Sequence, residues 1–189
     1  HLPEGQWDTI RFRTGPKIMS GELSLDLLQE ISEMLGGQLK PPRFILDFVG
    51  KESDRLSLLE KVTGKGNRHR DFSSKWTASV PGSEKIELVS FPGCFCHRRV
   101  DEGGLALAEV VSRDMPQDAK KFLDMGCGAG TVGFLVSAVH KDISLVMVDS
   151  HTRAVEATTY NAKLLGKEDC EVILSDNGTP ERMDGTFDV

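Results

Sequence analysis

The sequence is poor in the features that would place it at once in several large classes. Its 4 cysteines, Cys94, Cys96, Cys127 and Cys170, are irregularly spaced. They are too few for a disulfide scaffold and point to a reduced, cytoplasmic setting. No apolar run approaches the roughly 20 residues needed to cross a bilayer, so no membrane association is expected. The opening His1-Leu2-Pro3-Glu4-Gly5 lacks the basic-then-apolar order of a secretory leader. Basic residues are not in excess: 23 Lys and Arg against 29 Asp and Glu give a net charge of −6. That balance excludes a uniformly basic nucleic-acid binder. Any RNA contact must come from local patches, because the chain as a whole repels phosphate. Low-complexity tracts and short-period repeats are also missing.

An apolar fraction of 39% over 189 residues is present, enough for a packed core. Leu23, Leu27, Leu28, Ile31, Met34 and Leu35 recur at helical spacing, and Gly36-Gly37 ends that pattern. After Pro41-Pro42, the run from Phe44 to Val49 reads as a buried strand, followed by a helix from about Ser53 to Val62. The basic stretch from Gly64 to Arg70 reads as a loop, either a solvated connection or a phosphate contact. Trp76 to Val80 and Ile86 to Phe91 read as strands joined by the turn signal Pro81-Gly82-Ser83. An irregular segment, Pro92 to Arg99, precedes a helix expected from Asp101 to Ser112.

From Lys120 onward the order becomes strand, helix, strand, helix, strand. The strands are Phe122–Met125, Ser144–Val148 and Cys170–Leu174, and the helices Thr131–Val139 and Arg153–Leu165. Alternation of this kind predicts an α/β fold with a parallel sheet. The expected division is an N-terminal α/β region over 1–90 and a ligand-binding half-domain over 91–189. The chain has no initiator Met, and Phe187-Asp188-Val189 reads as the start of a further strand. A piece of a longer protein, without the C-terminal half of its sheet, is therefore expected.

The strongest local signal is Leu123-Asp124-Met125-Gly126-Cys127-Gly128-Ala129-Gly130-Thr131. Its glycines fall where a strand turns into a helix, so a ligand can approach backbone N–H groups at the helix start. Proteins that bind dinucleotides share such turns. Here, however, Asp124 would repel a pyrophosphate and would suit an amino-acid-like ligand. The Gly-x-Gly-x-Gly spacing also departs from the dinucleotide fingerprint. Both details favour S-adenosylmethionine. Asp149, at the tip of the next strand and followed by Ser150, can accept hydrogen bonds from ribose hydroxyls, whichever cofactor is bound. Asp176 and Asn177, after the third strand, could meet an adenine edge. The candidate cofactor set is Asp124, Gly126, Cys127, Gly128, Gly130, Asp149, Ser150, Asp176 and Asn177. The competing readings make Asp124 and Asp149 helix caps and Asp176-Asn177 turn residues.

With these residues in view, the sequence resembles the class I S-adenosylmethionine-dependent methyltransferases, Leu123 to Gly133 matching their first motif and Val148-Asp149 their second. Phe91-Pro92-Gly93-Cys94-Phe95, Asp101-Glu102-Gly103 and Leu105-Ala106-Leu107 resemble the segment before the first motif in the bacterial ribosomal RNA small-subunit guanine-N2 methyltransferases. That resemblance implies a Rossmann-like fold, methylation of a guanine exocyclic amine, ribosomal RNA or a ribosomal subunit as partner, and a degenerate methyltransferase-like N-terminal region. The family's catalytic Asn-Pro-Pro-Phe/Tyr tetrapeptide does not occur among the 189 residues, so no catalytic residue is assigned. Two other functions compete: methylation of a protein glutamine, and a non-catalytic cofactor-binding or RNA-assembly module. Cys94, Cys96 and His97 lack the further ligands of a zinc site, so no metal is expected. His97-Arg98-Arg99 reads as a solvated turn or an RNA phosphate contact. Trp7 and Trp76 read as core or interface residues rather than platforms for a base.

Overall fold

The computed structural model describes residues 9–16, 18–36, 43–63, 72–176 and 187–189. The chain divides into two compact units, His1–Phe72 and Ser73–Val189. A division at 90/91, as the sequence suggests, would cut the second unit. It would part the hairpin of residues 74–90 from the helices at 131–139 and 152–164 on which it packs.

In the first unit, strands β1 (Thr9–Thr14) and β2 (Arg43–Phe48) pair in parallel, with Thr9 opposite Arg43 and Thr14 opposite Phe48. Helices α1 (Gly21–Gly36) and α2 (Glu52–Thr63) pack on each other. Ser20 opens α1, its hydroxyl accepting from the Leu23 N–H at 3.1 Å. Leu25, Leu28 and Leu58 form the buried centre, with Phe12, Leu46, Phe48 and Phe72 around it. β1 is an element that the pattern reading does not include, although Ile10, Phe12 and Thr14 alternate inward along it.

In the second unit, β3 (Ser74–Ala78) and β4 (Ile86–Ser90) form an antiparallel hairpin with Trp76 opposite Leu88. Its turn is closed by Ser83, whose hydroxyl accepts from Val80 N at 2.9 Å and whose N–H donates to Val80 O at 3.0 Å. Helix α3 (Glu102–Asp114) follows. A parallel sheet, ordered β5 (Lys121–Met125), β6 (Ser144–Asp149), β7 (Glu171–Leu174), alternates with α4 (Thr131–Val139) and α5 (Thr152–Leu164). Phe187-Asp188-Val189 runs beside the other edge of β5, Asp188 N donating to Lys121 O and Val189 O accepting from Leu123 N.

Helix α4 is apolar almost all round because it packs against α3, β4, β5 and β6 together. Three consecutive side chains, Phe134, Leu135 and Val136, are fully buried, each contributing about 1.5–3 kcal/mol by leaving water. Strand β6, covered on both faces, is accordingly a continuous apolar run from Leu145 to Val148. Helix α5 turns small residues inward at Ala154, Ala157, Thr158, Asn161 and Ala162, so its backbone lies close to the sheet. Together these elements fix the carboxyl ends of β5 and β6 side by side, where ligands bind in open parallel sheets.

Candidate functional site

The glycine-rich turn leaves β5 at Met125 and enters α4 at Thr131. Gly126, Gly128 and Gly130 all adopt left-handed φ, at 78°, 59° and 83°. At Gly130 the need is also steric, since a Cβ there would lie 2.4 Å from the Phe134 ring. At Gly126 and Gly128 no atom lies within 4 Å of where a Cβ would be, so the outer face of the turn is open.

Three side chains hold the turn in place. The Gly128 N–H donates to Asp149 Oδ2 at 2.9 Å, and Thr158 Oγ1 donates to Gly128 O at 2.8 Å. Asn161 Nδ2 donates to Ala129 O at 2.8 Å. The same amide grips β4, accepting from Val89 N at 2.9 Å and donating to Val89 O at 2.8 Å. Fully buried, Asn161 therefore satisfies three backbone groups that water cannot reach. Neither Asn161 nor Thr158 is in the candidate set read from sequence. The available signal was two uncharged polar residues among the alanines of the inward stripe of α5, which Arg153 opens.

Asp149 ends β6 with both carboxylate oxygens engaged, Oδ2 by Gly128 and Oδ1 by the His151 N–H at 2.8 Å. Each oxygen keeps a lone pair for a further donor. Asp149 does not cap α5. That task belongs to His151, whose Nδ1 accepts from Arg153 N at 3.2 Å.

Asp124 sits differently. It is buried in β5 beneath the turn, and its Oδ2 accepts from the Gly133 N–H at 3.0 Å, in the first turn of α4. The carboxylate thus satisfies an orphan donor of that helix, as the capping reading has it. Burial, opposed by the Gly133 N–H and reinforced by the charge of Asp149, pushes its carboxyl up to about 6. Burial likewise pushes the Cys127 thiol up to about 12 and raises that of Cys94, so neither is a ready nucleophile.

A cavity of about 370 Å³ opens over the turn. Gly126, Cys127, Gly128 and Asp149 line it, together with Trp76, Phe95, Arg99 and Asp101. The structure thus brings together four of the nine candidate residues. Gly130 closes the turn against Phe134 and Asp124 lies beneath it, Ser150 and Asp176 are exposed beyond it, and Asn177 falls outside the described residues. Trp76, read from sequence as a core or interface residue, packs against the core and also forms part of the cavity wall. Trp7 and the basic stretch from Gly64 to Arg70 also lie outside the described residues.

A second cavity, of about 620 Å³, lies in the first unit at the carboxyl ends of β1 and β2 and contains none of the candidate residues. Among the described residues, no three His, Cys, Asp or Glu side chains converge as metal ligands, and no helix is long and apolar enough to cross a membrane.

Comparison with known proteins gives the family and the fold. The chain is 36% identical to the ribosomal RNA small subunit methyltransferase C of Stutzerimonas stutzeri (strain A1501), over 92% of this chain and 56% of that protein. It is 26% identical to the ribosomal RNA large subunit methyltransferase G of Ectopseudomonas mendocina (strain ymp), over 99% of this chain and 53% of that one. The chain therefore spans about half the length of these curated relatives. The solved 16S rRNA N2 methyltransferase RsmC of T. thermophilus, in complex with AdoMet and guanosine, superposes with a TM-score of 0.65. That match covers 91% of this chain and 51% of that one, and at 16% identity it shows the Rossmann-like fold. Residues 85–189, more than half of the sequence, match the family model of the methyltransferase small domain. From the strand before the cavity to its last residue, this chain belongs to the methyltransferase small domain family.

Proposed function

We propose that the chain binds S-adenosylmethionine over the 126–130 turn and serves an enzyme that methylates a guanine exocyclic amine in ribosomal RNA. The observation that carries this reading is the juxtaposition of an open glycine turn with the Asp149 carboxylate on one cavity wall. The names of the curated relatives support an RNA substrate over a protein glutamine, and their bacterial sources fit work in the cytoplasm.

The residues fit the cofactor by their donor set. Asp149 offers its remaining lone pairs to ribose hydroxyls. Gly126, Cys127 and Gly128 allow close approach of the backbone. Asp124 supports the turn from beneath and places negative charge behind the site of the cationic amino-acid end. Ser150 and Asp176 flank the adenine side, with Asn177 next in sequence. When bound, the cofactor supplies a methyl group made electrophilic by its sulfonium. The chain contributes position and exclusion of water. The target base must be splayed from its stack to reach the cavity.

Calorimetric titration of S-adenosylhomocysteine tests the assignment. Asp149→Ala should weaken binding by about 30- to 150-fold, as expected for two lost hydrogen bonds of about 1–1.5 kcal/mol each. Asp149→Asn, which can still accept from Gly128 N–H, separates ribose binding from support of the turn. Equal affinity in the wild type and both variants would remove Asp149 from the site.

A further inference from the structure

Between β4 and α3, the segment 91–99 holds one aromatic ring and one cation at the rim of the cavity. Phe95 is 74% exposed, the most exposed large apolar side chain among the described residues, and it lines the cavity together with Arg99. This exposure does not come from a loose loop. Cys94, on one side of Phe95, is buried and donates its thiol hydrogen to Arg153 O at 3.2 Å. His97, two residues beyond Phe95, is held by Ser90, with Nδ1 and Oγ 2.8 Å apart. Backbone bonds from Cys94 N to Phe91 O, His97 N to Cys94 O and Arg99 N to Cys96 O close successive turns. Cys96 and Arg98 adopt left-handed φ, at 52° and 70°, which side-chain-bearing residues rarely keep unless the surroundings impose it. The segment is thus a pinned scaffold that holds the Phe95 ring out of the core. Arg99 makes no side-chain ion pair or hydrogen bond among the described residues, whereas Asp101 and Asp149 line the same cavity.

Folding gains little from an aromatic ring fixed in water, and in a chain of net charge −6 a guanidinium that shares its cavity without an acidic partner among the described residues is a local exception. Ring and guanidinium together match the two invariant parts of a splayed nucleotide, a base face and a phosphate. We propose that this rim receives the target RNA nucleotide, Phe95 stacking on its base and Arg99 pairing with an adjacent phosphate. The inference rests on the methyltransferase reading above and adds the residues that would seat its RNA.

The test is fluorescence anisotropy of a short guanine-containing single-stranded RNA with the protein at saturating S-adenosylhomocysteine, alongside calorimetry of S-adenosylhomocysteine alone. Phe95→Ala and Arg99→Gln should each weaken RNA binding about tenfold, and Phe95→Trp should restore it. Arg99→Gln should also lower the salt dependence of RNA binding by about one phosphate contact. The thermal midpoint should stay at its wild-type value, because both side chains are exposed, and S-adenosylhomocysteine affinity should fall less than RNA affinity, because the proposed cofactor contacts are the turn and Asp149. Wild-type RNA affinity in Phe95→Ala, or no RNA binding by the wild type, overturns the proposal. A loss of S-adenosylhomocysteine affinity in Arg99→Gln as large as its loss of RNA affinity overturns it too, by assigning Arg99 to the cofactor. A wild type that takes up no S-adenosylhomocysteine instead overturns the methyltransferase reading beneath it.

Discussion

Replacing Asp124 by asparagine should make the protein more stable at neutral pH and poorer at its proposed task. The side chain is buried under the glycine turn, and its carboxyl is raised from 3.8 to about 6, chiefly by desolvation. A shift of about two units, at about 1.4 kcal/mol per unit, corresponds to about 3 kcal/mol. The folded state holds this proton more tightly than the unfolded chain. The stabilisation is therefore complete below about pH 4 and is lost as pH rises through about 6. Asparagine keeps an oxygen to accept from the Gly133 N–H and carries no charge to desolvate. Allowing for the partner its amide hydrogens need, Asp124→Asn should gain about 1–3 kcal/mol at about pH 8 and nothing at about pH 4. Urea unfolding of both proteins at about pH 4, 6 and 8, compared at equal slope, reads this directly. In wild-type protein, cofactor affinity should rise over the same interval as the carboxylate ionises, and in the variant it should stay low and flat. If Asp124→Asn is less stable than wild type by the same amount at every pH, the carboxylate carries no desolvation penalty and the reasoning fails.

Two substitutions test the packing that holds the site. Gly130→Ala places a Cβ 2.4 Å from the fully buried Phe134 ring, in a backbone conformation at φ 83°; it should cost about 2–4 kcal/mol in chemical denaturation, and a loss below about 1 kcal/mol would show that the turn can relax. Asn161→Ala strands Val89 N, Val89 O and Ala129 O without a partner; a loss of about 3–5 kcal/mol is expected in urea unfolding, and a near-neutral result would mean that water replaces the amide.

The second unit was largely legible because its periods are strong. Thr131–Val139 is the helix expected, and β5, β6, β7 and α5 fall within a residue or two of their expected bounds. The cavity at Asp149 and the turn was foreseeable because crevices open at fixed places in a parallel sheet, just after its strands. The position of Asp124 was harder to read. Sequence places it at a strand end but does not tell which neighbour, ligand or helix N–H, takes its oxygen. Contacts divide the chain at 72/73 rather than at 90/91, because β3 and β4 form a hairpin, whose local pattern says nothing of the helices it packs on. Asn161 went unread for a related reason. Its partners are 72 and 32 residues away, and such tertiary hydrogen bonds leave no periodic trace.

That amide has a consequence for anyone recombining these proteins. One side chain on α5 rivets the hairpin to the loop that starts α4. Hairpin, loop and helix therefore form one inheritable cassette. A chimera that exchanges the 74–90 segment without the matching face of α5 would join parts cut for different fasteners.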